Sequence, residues 1–330
     1  VPSPTVASLG EIGLIERLKP YCAVGALGDD AVLMQLSPGR SLVVTTDVLV
    51  EDVHFSDRTT PPRSVGWRSA AANLSDLAAM GAAPLGITVG LALPPETPWD
   101  WVADLYQGMQ DCLEQYGGAI YGGDVCRADQ KTVSITALGQ VDPQRVIYRH
   151  VAQPGQAIVV TGWHGAARAG LALLLEEIAA DGVSDPVRQA WIATHQRPRP
   201  RFDAVDLLQQ MDLTWPIAGM DSSDGLANAV MQICRRSGVG AQIMRSRLPI
   251  PPHLSDCVGP ELALDWTLQG GEDFELVLCL PPGAAQAFVK RLGGEAAIVG
   301  SVTSVTDILL VETEADSHGQ PLDSKGFQHF

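Results

Sequence analysis

The sequence predicts a two-domain protein, an α+β domain over residues 1–150 followed by an α/β domain over 151–330. Three observations predict it. At 330 residues the chain is long enough for two cores of ordinary size. Strand-like and helix-like segments alternate along it. A turn signal at Pro154 and Gly155, before the buried-looking strand of VAQPGQAIVVTG (151–162), marks the break.

In the first domain SLVVTTDV (41–48), GITVGLAL (86–93) and TVSITALGQV (132–141) are rich in β-branched residues and bounded by Gly, Pro or charge, so each reads as a strand. RSVGWRSAAANLSDLAAMGAAP (63–84) reads as a helix ended by Gly81 with Pro84 beyond, and PWDWVADLYQGMQDCLEQYGG (98–118) as one closed by its glycines. In the latter Trp101, Val102, Leu105, Met109 and Leu113 recur at helical spacing, the pattern of a core face. The second domain runs strand, Gly-flanked loop GWHG, helix AARAGLALLLEEIAA, a charged helical stretch with HQRPRPR, and helix RFDAVDLLQQM. After MDSSDG follow helix LANAVMQICRRSG, loop LPIPPH, strand FELVLCL, helix AAQAFVKRL and strand AAIVGSV.

Hydrophobic residues make up 46% and charged residues 18%, a globular balance. No apolar run reaches the roughly 18 residues of a membrane span. The start VPSPTVASLGEIG has neither a basic n-region nor an apolar h-region, so a cytoplasmic protein without a membrane partner is expected. Cys22, Cys112, Cys126, Cys234, Cys257 and Cys279 are dispersed, with no C-x-x-C pair and no zinc spacing, as in a reducing compartment. A net charge of −16, with no basic tract beyond RSR at Arg245 to Arg247, argues against nucleic acid as a partner. Such a chain needs cations between itself and any anionic ligand.

Acids recur beside small residues near the ends of apolar runs: Asp29 and Asp30 in GDDA, Asp47 in TTDVLVEDVHF, Asp76 in NLSD, Asp124 in GGD, Asp221 and Asp224 in MDSSDG, Glu272 and Asp273 in GGED. Small neighbours leave the carboxylates open to a ligand, which suits hard cations that take oxygen donors. Taken singly, each has a plain structural reading: turn residues for Asp29 and Asp30, a solvated helix face for Asp76, an N-cap for Asp224, solvated loop charges for Glu51 and Asp52. Two unit charges about 4 Å apart repel by about 4 kcal/mol at an effective dielectric near 20, so four or five carboxylates brought together without a counter-charge cost much of a domain's stability. If these acids meet, cations are needed. The sequence has no G-x-x-x-x-G-K-[ST] loop, no G-x-G-x-x-G, no H-E-x-x-H, no G-x-S-x-G elbow and no EF-hand loop, which argues against a P-loop enzyme or a serine hydrolase.

In order, GDDA, TTDVLVEDVHF, AANLSDLAAMGA, GGD, R-x-x-x-x-PG-x-x-x-x-VTG, DSSDG, GGEDFEL and the terminal KGFQHF resemble the thiamine-monophosphate kinase family, within the superfamily of aminoimidazole ribonucleotide synthetase. The resemblance runs from about Gly10 to Phe330. It implies the two-domain aminoimidazole ribonucleotide synthetase-like fold: an N-terminal α+β domain that carries metal and ATP sites and dimerises through its sheet, and a C-terminal α/β domain that completes the active site. The implied activity is ATP-dependent phosphorylation of thiamine monophosphate to thiamine diphosphate by direct in-line transfer, assisted by several Mg²⁺ ions, in a homodimer. By position, Asp30, Thr45, Thr46, Asp47, Asp76, Asp124, Asp221 and Asp224 would be metal ligands, with Asp47, Asp124 and Asp224 in the catalytic role. Gly123, Asp124, Arg149 and Ser223 would contact ATP, and His54, Glu272, Ser324 and Phe327 the thiamine phosphate. Without the resemblance, Thr46 and Ser223 read as strand-end and capping hydroxyls and Arg149 as a surface arginine.

The acceptor of that reaction is a phosphate monoester with a second pKa of about 6, so it is already anionic at neutral pH and requires no general base. The obstacle is repulsion between two phosphate-bearing substrates, which metal bridging and in-line positioning address. The chain departs from the family in one place. Where the family commonly shows an aromatic residue, LDSKGF has Ser324, and Phe327 is the candidate to stack on the thiamine ring instead.

The rivals within the superfamily are weighed at named places. Selenophosphate synthetase needs a reactive Cys or selenocysteine beside a Lys in a Gly-rich segment, and RLKPYCAVG around Lys19 and Cys22 does not match. The hydrogenase-maturation relative ends in a functional Cys, whereas this chain ends GFQHF. Aminoimidazole ribonucleotide synthetase itself stays as the runner-up, another ATP-dependent member of the superfamily, disfavoured by DVHF and KGFQHF. A nucleotide or divalent-cation sensor without catalysis is the alternative of a different class.

Overall fold

Along TVSITALGQV, Val133, Ile135, Ala137 and Val141 are buried while the residues between them are more open, the two-residue period of a strand with one face covered. The structure is a computed structural model that describes residues 3–26, 31–179, 181–313 and 319–323. Its contacts divide the chain into two units, Val1–Leu77 with Ala82–Asp142, and Ala78–Gly81 with Pro143–Phe330.

The first unit contains β1 (Ser41–Val50), β2 (Ala83–Leu93), β3 (Ile120–Arg127) and β4 (Thr132–Val141) in the order β1-β4-β2-β3. The pairs are antiparallel except β2 with β3. Its helices are α1 (Val6–Leu18, kinked at Gly10), α2 (Pro62–Ala79) and α3 (Trp99–Tyr116). Odd-numbered residues of β2 and β4, among them Ile87, Val89, Leu91, Val133 and Ile135, form the buried face. Burying each such side chain stabilises by about 1.5–3 kcal/mol.

Because α2 is buried on almost every side, its polar residues need partners, and two of them find one within the helix. Ser69 Oγ donates to Val65 O at 2.7 Å, and Asn73 Nδ2 to Ser69 O at 3.0 Å. It crosses α3 glycine to glycine. A Cβ on Gly66 would lie 1.8 Å from Leu105 O, and one on Gly108 1.8 Å from Arg63 O.

Several expectations shift in this unit. Gly81, at φ +72, turns the chain just after α2, so residues from Ala83 onward join β2 rather than extending the helix. Strand β3 and helix α1 carry no clear period; IYGGDVCR has two glycines and an acid at its centre. Glu51 is not a solvated charge: it pairs with Lys131 Nζ and accepts from Lys131 N at 3.3 Å, and that ammonium lies 5.4 Å over the Trp101 ring.

The second unit holds an eight-stranded sheet built from β5 (Ile147–Tyr148), β6 (Ala157–Val160), β7 (Ile217–Asp221), β8 (Gly240–Met244), β9 (Leu276–Leu280), β10 (Ala297–Thr303), β11 (Ile308–Val311) and β12 (Gln320–Pro321). Their order is β12-β11-β8-β10-β6-β9-β7-β5. Every residue of β6, β7 and β9 is buried, as in strands covered on both faces. The helices are α4 (Ala166–Leu174), α5 (Asp185–Gln196), α6 (Phe202–Gln210), α7 (Leu226–Ser237), α8 (Leu254–Val258), α9 (Pro260–Gln269) and α10 (Pro282–Leu292). Val230 and Ile233 of α7 with Leu264 of α9 build one cluster against the strands. Leu208 of α6 with Phe288 of α10 builds another.

Helix α4 stops at Leu174, short of the expected end, with Glu176 at φ +61 just beyond. HQRPRPR leaves the helix after Gln196, where its prolines begin. Strand β9 lies antiparallel between β6 and β7, so the C-terminal ends of β6 and β7 and the N-terminal end of β9 come together. VTGWHG, DSSDG and GGEDFE all sit at that end of the sheet. Among the described residues no helix is long and apolar enough to cross a membrane. All six cysteines are free thiols.

Candidate active site

In the first unit the site residues are sorted by strand alternation. Thr45 and Asp47 lie on the face of β1 that α2 covers. There Thr45 Oγ1 donates to Asp76 Oδ2, and the Asp47 N–H donates to Asn73 Oδ1 at 3.1 Å. Asn73 and Asp76 are three apart on α2 and so share a helix face. Asp76 is half-buried against β1, not on a solvated helix face.

Thr46 points to the opposite face, its hydroxyl 2.9 Å from that of Thr136. Asp124 lies in the register row Val48–Ser134–Gly90–Asp124, next to the row Asp47–Ile135–Val89–Gly123. It is therefore on the outer face with Thr46, three strand spacings or roughly 14 Å from β1. Gly123 is glycine for a local reason, since a Cβ there would sit 1.8 Å from Val89 O. In the VEDVHF turn, with Asp52 at φ +62, the Val50 N–H donates to His54 Nδ1 at 3.0 Å, so the neutral ring carries its proton on Nε2.

In the second unit the structure brings Asp221, Ser223 and Glu272 together. Ser223 Oγ donates to Asp221 Oδ1 at 3.3 Å, and the Glu272 N–H donates to Ser223 O at 2.7 Å. Glu272 and Phe274 hold φ of +60 and +53, a strained loop pressed onto the Asp221–Asp224 turn. Asp224 is exposed, and α7 starts from Gly225 without a side-chain cap. Arg149 is exposed, with Nη1 2.9 Å from Gln232 Oε1 on α7. Asp30, Ser324 and Phe327 lie outside the described residues.

Sequence reasoning missed three partners and gave a fourth a different role. Asn73 was visible only as part of NLSD. His164, buried, places Nδ1 3.1 Å from Gly162 O and Nε2 3.0 Å from Ser222 Oγ; burial lowers its pKa to about 4, so it is neutral. Arg201 pairs with Glu275 and Asp203 and donates to Thr161 O at 2.6 Å. Burial works against the Arg201 charge, but the two carboxylates push its pKa above the ordinary guanidinium value. Asp273, read as part of the acid motif, caps α4 instead, accepting from Gly165 N at 2.7 Å and Ala167 N at 2.9 Å. Burial pushes its pKa up to about 7 against the lowering by those N–H groups.

Both acid sets offer carboxylate and hydroxyl oxygens, the donors of a hard cation. Among the described residues no three His, Cys, Asp or Glu side chains gather into one cation-binding group. Two carboxylates per set nonetheless fit Mg²⁺, which is usually held by one or two carboxylates, water and substrate phosphates rather than by an all-protein cage.

Both units are matched by domains of one family, the AIR synthase related proteins. The N-terminal domain of that family matches residues 28–141 and the C-terminal domain residues 153–311. Thiamine-monophosphate kinase of Synechococcus elongatus is 47% identical over 330 residues, 99% of this chain and 98% of that one. A solved structure of thiamine-monophosphate kinase from Stenotrophomonas maltophilia superposes with a TM-score of 0.79 at 31% identity, covering 93% of this chain and 98% of that one. AaThiL complexed with AMPPCP and TMP superposes at 0.76 with 30% identity, covering 98% and 97%. The chain belongs to the thiamine-monophosphate kinase family, and is a kinase.

Proposed function

We propose that the protein transfers the terminal phosphoryl group of ATP to thiamine monophosphate, giving thiamine diphosphate, and does so in the cytoplasm as a homodimer. The observation that carries the reading is the 47% identity to a thiamine-monophosphate kinase over 99% of the chain. The two oxygen-donor sets support it. Asp47, Asp76 and Thr45 in one unit, and Asp221 and Asp224 in the other, would hold Mg²⁺. When bound, Mg²⁺ neutralises phosphate charge and aligns donor and acceptor.

The chain's own residues do the rest. Asn73 orients Asp47 through its backbone N–H and Thr45 orients the Asp76 carboxylate, and neither adds a charge of its own. Ser223 and Arg149 face the nucleotide, and Glu272 and His54 the thiamine phosphate. His54, with its proton on Nε2, is set to donate to a phosphate oxygen. No residue needs to remove a proton from the acceptor. The roles of Gly123, Asp124 and Thr46, and those of Asp30, Ser324 and Phe327, stand on the family resemblance alone. ADP release that requires both thiamine monophosphate and Mg²⁺ is expected of the purified protein; ADP release indifferent to thiamine monophosphate would overturn the assignment.

The dimer is supported by the outer face of the first sheet. Leu42, Val44 and Val48 are exposed there by 50%, 54% and 47%, an apolar stripe that a second copy would cover.

A further inference from the structure

Three loops of the second unit meet at His164, which the proposed chemistry does not use. Its backbone N–H donates to Pro249 O at 3.2 Å, while its ring nitrogens reach Gly162 O and Ser222 Oγ. A carbonyl only accepts, so Nδ1 carries the proton and Nε2 presents its lone pair to Ser222. Ser222 Oγ also lies 3.1 Å from Glu275 O, a carbonyl that accepts the Ser222 N–H at 2.8 Å with its other lone pair. The one hydroxyl proton therefore faces two acceptors, Nε2 and the Glu275 carbonyl, and ties Ser222 between them. With a relative exposure of 1%, His164 is as buried as a core leucine, yet both ring nitrogens are matched.

We propose that His164 is a positioning residue for the nucleotide: by pinning Ser222 it orients Asp221, Ser223 and Asp224. The inference rests on the reading of that loop as cation- and ATP-facing. Ser222 sits between Asp221, 2% exposed, and Ser223, whose hydroxyl and carbonyl engage Asp221 and Glu272. A shift at Ser222 moves both neighbours. Two acids within four residues repel each other until a cation arrives, and a neutral imidazole holds the turn against that repulsion without adding a charge.

The test uses wild type, His164→Leu, Ser222→Ala and the double variant. Thiamine monophosphate-dependent ADP release gives the kinetic constants. Melting with and without Mg²⁺ and a non-hydrolysable ATP analogue gives a readout independent of turnover. Each single variant should raise KM for ATP roughly five- to tenfold, the loss of one hydrogen bond, and shrink the melting shift caused by the analogue. The KM for thiamine monophosphate should stay near wild type, and the double variant should be no worse than the worse single. Single variants with wild-type KM for ATP and an undiminished shift, or a double variant whose effects multiply, would overturn the proposal. If His164→Leu does not fold, Ser222→Ala alone decides, since it leaves the imidazole in place. A wild-type protein without thiamine monophosphate-dependent turnover defeats the kinase assignment instead, and the melting shift still judges His164.

Discussion

Asn73 accepts from the Asp47 backbone N–H and Thr45 donates to the Asp76 carboxylate, and an amide in place of either carboxylate removes charge while keeping shape. Asp47→Asn should lower kcat/KM by about a hundredfold or more, with a melting temperature close to wild type and only partial rescue by excess Mg²⁺. Normal turnover at low Mg²⁺ would take Asp47 out of the cation-binding set. Asp273 poses the opposite case. Its pKa rises from 3.8 in the unfolded chain to about 7 in the fold, so the native state keeps a proton that the unfolded state releases. Stability from this group is full below the unfolded value and is lost as pH climbs from about 4 through 7, by up to about 1.4 kcal/mol per unit. Burial raises Glu275 too, which adds a slope of the same sign. Urea unfolding at a series of pH values should show this decline in wild type and a flatter profile in Asp273→Asn. An unchanged slope would assign the decline to Glu275 alone.

Elements here depend on glycine at crossings more than on propensity. The Gly66 and Gly108 contact leaves no room for a methyl group on either helix. Gly66→Ala or Gly108→Ala should destabilise the first unit by about 1–3 kcal/mol or more, seen as a lower denaturant midpoint; a midpoint within error of wild type would mean that α2 and α3 do not approach this closely. Neither contact was legible, because a glycine inside a helical pattern looks like a weak spot until its neighbour is known. The three strands with β-branched runs were legible, and so were α2 and α3, whose apolar spacing and end signals are local. Strand β3 was not, since Gly122, Gly123 and Asp124 break every local strand signal; its pairing with β2 supplies the order that propensity does not.

At the scale of the whole molecule, the exposed Leu42, Val44 and Val48 predict association. Light scattering of wild type at micromolar concentration should give twice the mass of one chain, and Val44→Lys with Val48→Lys should shift it toward one. A monomeric wild type would defeat the dimer. By itself the sequence determined the order and spacing of the acid motifs, and through them the family, because those signals lie in contiguous stretches. It also held the two-residue period that separates Thr46 from Thr45 and Asp47. Only the tertiary structure decided which side of β1 α2 covers. Only the strand order β1-β4-β2-β3 places Asp47 and Asp124 on opposite edges and faces of one sheet. His164 and Ser222 are likewise 58 residues apart in the chain and meet only because β9 lies between β6 and β7. Periodicity is set by neighbours along the chain, whereas register and strand order are set by which distant apolar faces bury each other.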